Sequence, residues 1–302
     1  MIILKGKRMK VIERITLNNE ESKEAIGLNK KINKADNTYS KIYLSNKYNY
    51  FSDMPTFVLA YEKQKLIGLT MLYADDGPNE EVEVHLVVDP EFRRHHVATK
   101  MWAHAKQIML QYGYHKWEFV SEKVFLAKNP DFLANCNLTV VKEDSDYYMQ
   151  TSKPVSIEKA DKLNQVLAVK PLTANYVAQV ATAHSNAFGD AIVTSTKYIK
   201  NSLLDKDTKS FILLKDNEIA GYCAVDHGDN EDYFFGLFID KPFRGQGFGT
   251  FFIKKMIAIL QKEGSRVFAL NADVTNKAAI HIYEKAGFKI LSETLYLKSQ
   301  ES

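Results

Sequence analysis

In the second half of the chain, short apolar runs are separated by polar turns at the spacing of alternating strands and helices. Apolar segments at residues 211–215 and 218–225 flank Asp216-Asn217, a dipeptide that favours a tight hairpin turn. Helical spacing of apolar residues predicts helices at residues 175–188 and 250–262. The remaining apolar runs predict strands at residues 166–173, 233–239 and 267–270, and a late edge strand at residues 291–297.

The first half of the chain repeats this order of elements. Its apolar runs predict strands at residues 57–61, 66–73, 82–88 and 117–120, and a helix at residues 99–112. Recurring positions lie 150 to 153 residues apart, and the pairs are Gly68 and Gly221, Arg93 and Arg244, Gly113 and Gly264, and Leu138 and Phe288. This near-constant offset indicates an internal duplication.

The length of the chain agrees with two domains, because 302 residues can bury two separate cores. Pro154 and the polar run at residues 158–162 interrupt the apolar pattern, which places the seam within residues 151–165. We therefore expect an N-terminal domain of residues 1–152 and a C-terminal domain of residues 166–302. Each is predicted to be an α+β domain with a mixed sheet.

Composition and charge exclude several classes of protein. Lys and Arg number 40 and Asp and Glu 37, a net charge of +3, and no basic stripe predicts a nucleic-acid partner. No apolar run is long enough to predict a membrane span or a secretory signal. Cys136 and Cys223 have neither metal-ligand nor redox-motif spacing, so no metal is expected, and isolated cysteines favour a reducing cytoplasm.

A glycine-rich turn follows the apolar run at residues 234–239. The turn is Arg244-Gly245-Gln246-Gly247-Phe248-Gly249, and the helix after it is predicted from its apolar spacing. The first N–H groups of a helix have no partner within the helix, so such a turn favours an anion site. Glycine at these positions would allow a phosphate oxygen to approach the backbone.

A second motif lies further on, from Asn276 through Tyr283 and the segment Glu-Lys-Ala-Gly-Phe that ends at Phe288. Apolar residues fall on one helical face, and Gly287 is placed to end the helix in the left-handed conformation. Together, in this order and at this separation, the two motifs resemble the acetyl-CoA signature of the GNAT superfamily of N-acetyltransferases. The duplication resembles tandem members of that family, such as mycothiol synthase, in architecture only.

The resemblance implies acetyl-CoA as cofactor and a division of roles among residues. It implies that Tyr283 is the general acid that protonates the leaving thiolate, with a core packing role as the alternative. Asp232, in the acidic run of residues 229–232, is the candidate general base, although the run as a whole is typical of a solvated turn. The cofactor-binding residues implied are Leu237, Phe238, Ile239, Arg244, Gly245, Gln246, Gly247, Phe248, Gly249, Thr250 and Asn276.

Two of these assignments have structural alternatives. Gly236 within the predicted strand favours a bulge that opens the sheet for the pantetheine arm, although it would also relieve crowding among phenylalanines. Asn276 orders the cofactor or caps the helix that follows it. His227 and His281 titrate near neutral pH as a class, and nothing in the sequence distinguishes them from surface histidines.

The first copy departs from the family pattern. Arg94, His96 and Ala98 align with the three glycines of the turn, His85 with Gly236, and Leu133 with Tyr283. We expect a left-handed conformation to cost His96 energy, and its imidazole to crowd a phosphate. The N-terminal copy is therefore predicted to be degenerate and to lack catalysis.

These inferences predict a cytoplasmic acetyl-CoA-dependent N-acetyltransferase with one active copy. The acceptor is expected to be a primary amine of a small molecule or a peptide, and the protein a monomer or homodimer without nucleic-acid or membrane partners. The alternatives are a non-catalytic CoA-binding or regulatory module, and an acyltransferase that uses another acyl-CoA or modifies a protein.

Overall fold

The computed structural model describes residues 9–154, 163–227, 231–264 and 267–299. The chain divides into two compact units, one of Met1–Ser145 with Ser292–Ser302 and the other of Asp146–Leu291. Residues 155–162 of the predicted seam lie outside the described residues. We call the two parts the N-terminal unit and the C-terminal unit.

The N-terminal unit is a mixed sheet covered by helices. Its elements in chain order are β1 (Met9–Arg14), α1 (Asn19–Asp36), β2 (Phe57–Glu62), β3 (Lys65–Tyr73), β4 (Val82–Val88), α2 (Val97–Gln111), β5 (Trp117–Glu122), α3 (Lys123–Lys128), α4 (Phe132–Cys136) and the first part of β6 (Leu138–Thr151). Strands β1 to β4 are antiparallel neighbours, and β4 pairs with β5 in parallel. Alternate residues of β2 face opposite sides, since Phe57 packs with α1 and Val58 with α2.

The C-terminal unit has the same layers. After the second part of β6 its elements are α5 (Leu163–Val166), β7 (Leu167–Pro171), α6 (Val177–Phe188), α7 (Ile192–Leu204), β8 (Thr208–Lys215), β9 (Glu218–His227), β10 (Asp232–Ile239), α8 (Phe248–Lys262), β11 (Phe268–Asp273), α9 (Lys277–Lys285) and the start of β12 (Lys289–Ser299). The sheet order is β6, β11, β10, β9, β8, β7, and among the described strands of this unit only β10 and β11 pair in parallel. Helices α6 and α7 cover one face, and α8 and α9 cover the other.

Most predicted elements are confirmed, with boundaries that move by a few residues. The hairpin of β8 and β9 turns at Asp216 and Asn217, whose φ angles of 50° and 69° are both left-handed. The strand predicted at residues 291–297 is confirmed as part of β12, but the prediction that it lies at a sheet edge was wrong. Thr294 to Leu297 pair with β5, and β12 lies between β5 and the first part of β6. Among the described residues, no helix combines the length and the apolar character that crossing a membrane would require.

A buried carboxylate marks the start of β5 in the N-terminal unit. Glu118 is 8% exposed, and its acidic neighbours are Glu81, Glu83 and Asp144. Lys298 Nζ lies 3.9 Å from Glu118 Oε2, but it is closer to Glu81, at 2.6 Å. Burial, followed by the acidic neighbours, raises the pKa of Glu118 to about 7.

We predict that Glu118→Gln stabilises the protein at pH 8 but not at pH 5. A raised folded-state pKa contributes stability that is fully present below the unfolded pKa and is lost as pH rises through 7. The glutamine amide carries no charge at either pH, so the variant does not lose this stability as the pH rises. At pH 8 its free energy of unfolding should therefore exceed that of the wild type by about 1 kcal/mol after solvent screening. Thermal melts at both pH values measure it, with Glu293→Gln, in the exposed ion pair with Lys123, as control. An effect of equal size at pH 5 and pH 8 would contradict the assignment.

Candidate functional site

A bulge interrupts β10 at Gly236. Phe235 pairs with Ala224 of β9 and Phe238 with Tyr222, so Gly236 and Leu237 lie opposite the single residue between those partners. Gly236 has a φ of 61°, a left-handed conformation that glycine adopts readily. The predicted bulge is confirmed.

Strands β10 and β11 separate just before this bulge. Their parallel pairing covers Asp232 with Phe268, Tyr233 with Ala269 and Phe234 with Leu270, and it goes no further in the described residues. Strand β11 continues to Asp273 and β10 to Ile239. Leu237, Phe238 and Ile239 therefore have no ladder partner on the β11 side among the described strands, and such an edge can pair with an extended ligand.

The glycine-rich turn follows β10 and leads into α8. Gly245 and Gly247 have φ angles of 76° and 79°, and a Cβ at either position would meet no atom within 4 Å. These two glycines are therefore needed for the left-handed backbone of the turn and not for close packing. A Cβ at Gly249 would come within 2.8 Å of Ile282 Cδ1, so Gly249 serves the close packing of α8 on α9.

The first turn of α8 offers an anion site. Gly247 is the residue before the helix, and no side chain caps it. Gly247 therefore offers no side-chain acceptor to the first N–H groups of α8, and the helix dipole adds positive potential. Arg244 is exposed and donates from Nε to the Ile239 carbonyl at 2.8 Å, and Gln246 donates to the Pro242 carbonyl at 3.2 Å.

Other residues predicted to bind cofactor differ in exposure. Phe238 and Phe248 are buried, whereas Leu237, Ile239 and Thr250 are half-buried. Side chains of the buried residues contribute to the core, so a cofactor role for them rests on their backbone groups. Asn276 caps α9, since its Oδ1 accepts from the Ala279 N–H at 3.1 Å.

Tyr283 lies on the α9 side of the sheet, 7% exposed, with its ring 6.1 Å from that of Phe288. Burial, followed by the nearby thiol of Cys223, raises the pKa of Tyr283 well above its ordinary value. Within the described residues its hydroxyl makes no hydrogen bond. The residue therefore holds its proton at any physiological pH.

Asp232 is the first residue of β10, and it is paired with a histidine. Its Oδ1 lies 2.6 Å from Nδ1 of His227, the residue opposite it on β9. The second oxygen of Asp232 and Nε2 of His227 are buried without a hydrogen bond to any described residue. The expectation of a solvated acidic turn was wrong for Glu231 and Asp232, which are 7% and 4% exposed, while residues 228–230 lie outside the described residues.

Glu231 faces the opposite side of the sheet from Asp232. Its Oε2 accepts hydrogen bonds from Tyr148 Oη at 2.8 Å and from Gln150 Nε2 at 2.7 Å. Residues alternate between faces along a strand, so Asp232 shares the α8–α9 face with Phe234. Sequence reasoning did not separate these two adjacent carboxylates.

Helix α7 brings a tyrosine over the bulge. Tyr198 Oη lies 2.8 Å from the position of a Cβ at Gly236, so both this contact and the positive φ require glycine there. The Tyr198 ring is 4.8 Å from the ring of His184 and 6.2 Å from that of Phe235. Sequence reasoning missed Tyr198, because residues 192–204 carry many Ser, Thr and Lys residues and no clear apolar spacing.

His184 is buried beneath this tyrosine. Its Nδ1 lies 3.0 Å from Ser195 Oγ and 3.5 Å from Asp190 Oδ2. Burial lowers the pKa of His184, with Asp190 acting in the opposite direction. The imidazole is therefore uncharged at neutral pH and packs as an aromatic ring.

The N-terminal unit keeps the turn but not the bulge. Arg94 and His96 have φ angles of 63° and 59°, so this copy adopts the left-handed turn without glycine. Strand β4 pairs with β3 in unbroken register from Gly68 with Val88 to Tyr73 with Glu83. The guanidinium that corresponds to Arg244 is that of Arg93, which binds Asp36 through two hydrogen bonds of 2.9 and 2.5 Å.

Strand register corrects one alignment between the copies. Val82 pairs with Trp117 at the start of β5, just as Asp232 pairs with Phe268 at the start of β11. Val82 therefore stands where the C-terminal unit has Asp232. Gly236 is an additional residue without a counterpart, so the alignment of His85 with Gly236 was wrong.

Known proteins share this fold and parts of this sequence. A tandem GNAT protein from the clavulanic acid biosynthesis pathway superposes with a TM-score of 0.66 at 14% identity over 96% of this chain and 98% of its own. A GCN5-related N-acetyltransferase from Sphaerobacter thermophilus superposes with a TM-score of 0.69 at 12% identity, covering 95% of each chain. At these identities the likeness concerns the fold.

Sequence relatives match shorter stretches. N-alpha-acetyltransferase 50 of Danio rerio is 33% identical over 73 residues, 23% of this chain and 43% of the relative. N-alpha-acetyltransferase MAK3 of Arabidopsis thaliana is 29% identical over 90 residues, 28% of this chain and 47% of the relative. An uncharacterized N-acetyltransferase of Methanocaldococcus jannaschii is 43% identical over 53 residues, 18% of this chain and 24% of the relative. The chain thus spans about a quarter to a half of the length of these curated relatives.

The profile of the acetyltransferase (GNAT) family matches the chain twice, at residues 27–129 and 179–288. The two matches fall in the two structural units and together cover well over half of the 302 residues. The chain therefore belongs to the GNAT acetyltransferase family and carries two copies of its domain.

Proposed function

We propose that the protein transfers an acetyl group from acetyl-CoA to a primary amine of a small molecule or a peptide, with catalysis in the C-terminal copy. The observation that carries this proposal is the opened slot between β10 and β11, which leads from the Gly236 bulge towards the uncapped start of α8. The N-terminal unit also pairs β4 with β5 over three residues only, but its β4 lacks the bulge. Acetyl-CoA, when bound, supplies the acetyl group as a thioester.

The turn before α8 fits a pyrophosphate. The space around Gly245 and Gly247 is open where side chains would stand, so a phosphate can approach the backbone N–H groups. The exposed guanidinium of Arg244 lies beside this turn. The residues proposed to hold the cofactor here are Arg244, Gly245, Gln246, Gly247, Phe248, Gly249 and Thr250, with Asn276 contributing through the start of α9.

The slot fits an extended arm. Leu237, Phe238 and Ile239 follow the bulge, and on the β11 side their backbone groups have no ladder partner among the described strands. A pantetheine arm can pair with them as an added strand would. Backbone N–H groups at the bulge would then stabilise negative charge that develops on the thioester carbonyl oxygen.

Two groups are proposed to move protons. The Tyr283 hydroxyl, which is protonated at neutral pH, is proposed to donate its proton to the leaving sulfur. Asp232, paired with His227 at the start of β10, is proposed to take up, through water, the proton that the amine loses when its nitrogen bonds to the acetyl carbon. The N-terminal copy has Val82 in place of Asp232 and Leu133 in place of Tyr283, which supports a single active copy.

The names of the sequence relatives indicate a chemical class for the acceptor. Two of them are named N-alpha-acetyltransferases, which supports an amino group on a peptide or peptide-like molecule. A non-catalytic CoA-binding module and a transferase of another acyl group are the rival functions. Steady release of thiol from acetyl-CoA in the presence of amines would eliminate the first rival, and a preference for longer acyl-CoA substrates would favour the second.

We predict one tight CoA site per chain, abolished by Gly247→Val. The new residue is β-branched at a φ of 79°, and its side chain would occupy the open space of the turn. Isothermal titration calorimetry with CoA should show an affinity loss of about 100-fold, or ~2.8 kcal/mol. His96→Val, at the equivalent left-handed position of the N-terminal turn, is the matched control and should leave the affinity unchanged. Two tight sites in the wild type would overturn the single-site proposal.

We predict that Tyr283→Phe lowers kcat by about 100-fold while CoA affinity stays unchanged. The phenyl ring preserves the core contact with Phe288, and only the proton donor is lost. Thiol-release kinetics and CoA titration measure the two quantities. Tyr114→Phe, a buried tyrosine of the N-terminal unit that bonds the Asp76 carbonyl, controls for the loss of a hydroxyl. Unchanged turnover would remove Tyr283 from the mechanism.

We predict that Asp232→Asn lowers kcat/KM for the acceptor by about 100-fold, because an amide cannot accept the proton that the amine loses. Glu231→Gln is the matched variant of the adjacent buried carboxylate, which faces the other side of the sheet. We expect it to change kcat/KM less than threefold. The reverse ranking would transfer the base assignment to Glu231.

A further inference from the structure

The two sides of the Gly236 bulge differ in access. On the α8–α9 side the bulge is backed by Cys223, Phe234 and Tyr283, which are all less than 8% exposed and belong to one buried core. An amine cannot reach the slot through that core without displacing it. On the α6–α7 side, Tyr198, Tyr233 and Phe235 are only half-buried. The acceptor therefore reaches the slot from the α6–α7 side.

Tyr198 is the side chain closest to the bulge on this open side. Its hydroxyl approaches the Gly236 backbone so closely that a Cβ at 236 would lie 2.8 Å away. An acceptor whose nitrogen comes to the bulge must pass along the Tyr198 ring. The neutral ring of His184, 4.8 Å away, and its bond to Ser195 hold this tyrosine in place.

An exposed apolar surface continues outward from Tyr198. The His184 ring is 4.5 Å from the ring of Phe188, which is 50% exposed. After a short turn, Ile192 and Val193 at the start of α7 are 49% and 77% exposed. Three large apolar side chains exposed within six residues leave a surface that an apolar ligand group would cover favourably.

The charge beside this surface suits an amine. Asp190 lies in the turn between α6 and α7, and its carboxylate is 39% exposed. An amine in water is an ammonium ion, and a partly exposed carboxylate attracts it before it loses its proton. Apolar contact and negative charge thus occur together at the entrance to the slot.

Resting on the proposed function, we propose that Tyr198, Phe188, Ile192 and Val193 form the acceptor subsite, and that the acceptor is a primary amine with an apolar side chain next to its nitrogen. Tyr198 positions the amine at the bulge, and the other three residues bind the apolar side chain. Burial of such a side chain stabilises the complex at the acceptor step and leaves CoA binding unchanged.

The test uses the whole protein and two tetrapeptides with free N-termini that differ only in their first residue, leucine or serine. Thiol release from acetyl-CoA gives kcat/KM for each peptide. The wild type should prefer the leucine peptide by about 20-fold, as expected for one well-buried aliphatic side chain. No preference, or a preference for serine, would overturn the proposal.

Variants then assign the preference to this surface. Val193→Ser and Tyr198→Ala should each raise KM for the leucine peptide about fivefold or more, with the Kd for CoA unchanged by calorimetry. Tyr198→Phe keeps the ring and should restore most of the preference. Leu204→Ser, at the other end of α7 and 80% exposed, is the control and should change neither peptide. Equal losses for both peptides would show a structural role only and would contradict the subsite.

These experiments distinguish a failure of the acceptor subsite from a failure of the proposed transferase function. If neither peptide nor any other amine releases thiol, and CoA does not bind, the transferase proposal fails. If CoA binds and amines turn over without dependence on an apolar side chain, only the acceptor subsite fails.

Discussion

The C-terminal unit depends on one interrupted ladder, that between β10 and β11. Parallel strands normally continue their hydrogen bonds, and a backbone group left unpaired inside a sheet costs free energy. Here the pairing stops at Leu270, and the bulge at Gly236 turns the following residues of β10 out of register with β9. The unpaired edge is a suitable partner for a ligand that carries its own amide groups. Tyr283 lies on one side of this opening, Tyr198 on the other, and the uncapped start of α8 lies beyond its end.

The two copies show which features a duplicated domain keeps for folding. Both retain the left-handed turn before the helix, and in both an arginine Nε donates to the carbonyl at the end of the preceding strand, from Arg93 to Val88 and from Arg244 to Ile239. The N-terminal copy lacks the extra residue that makes the bulge, and Asp36 binds its arginine internally. The turn therefore belongs to the architecture, whereas the bulge, and an arginine without a carboxylate partner among the described residues, distinguish the copy proposed to be active.

The sequence predicted the structure correctly where neighbouring residues determine the backbone conformation. Asp216-Asn217 predicted the hairpin, and a glycine among phenylalanines predicted the bulge, because both depend on φ angles that few residues adopt. Prediction from the sequence failed for contacts between residues that lie far apart in the chain. The pairing of β12 with β5, the burial of Glu231 against Tyr148, and the position of Tyr198 over Gly236 depend on long-range contacts. The alignment of His85 with Gly236 failed because a one-residue insertion leaves the spacing of distant anchors almost unchanged.

A crystal structure with coenzyme A bound would show where the cofactor lies. We expect the diphosphate to lie against the backbone N–H groups of residues 245–250 and the pantetheine arm to lie between β10 and β11, with its sulfur at the Gly236 bulge. We also expect no ordered coenzyme A at the turn formed by Arg94 and His96. Coenzyme A bound elsewhere on the C-terminal unit, with the slot between β10 and β11 left empty, would contradict the account.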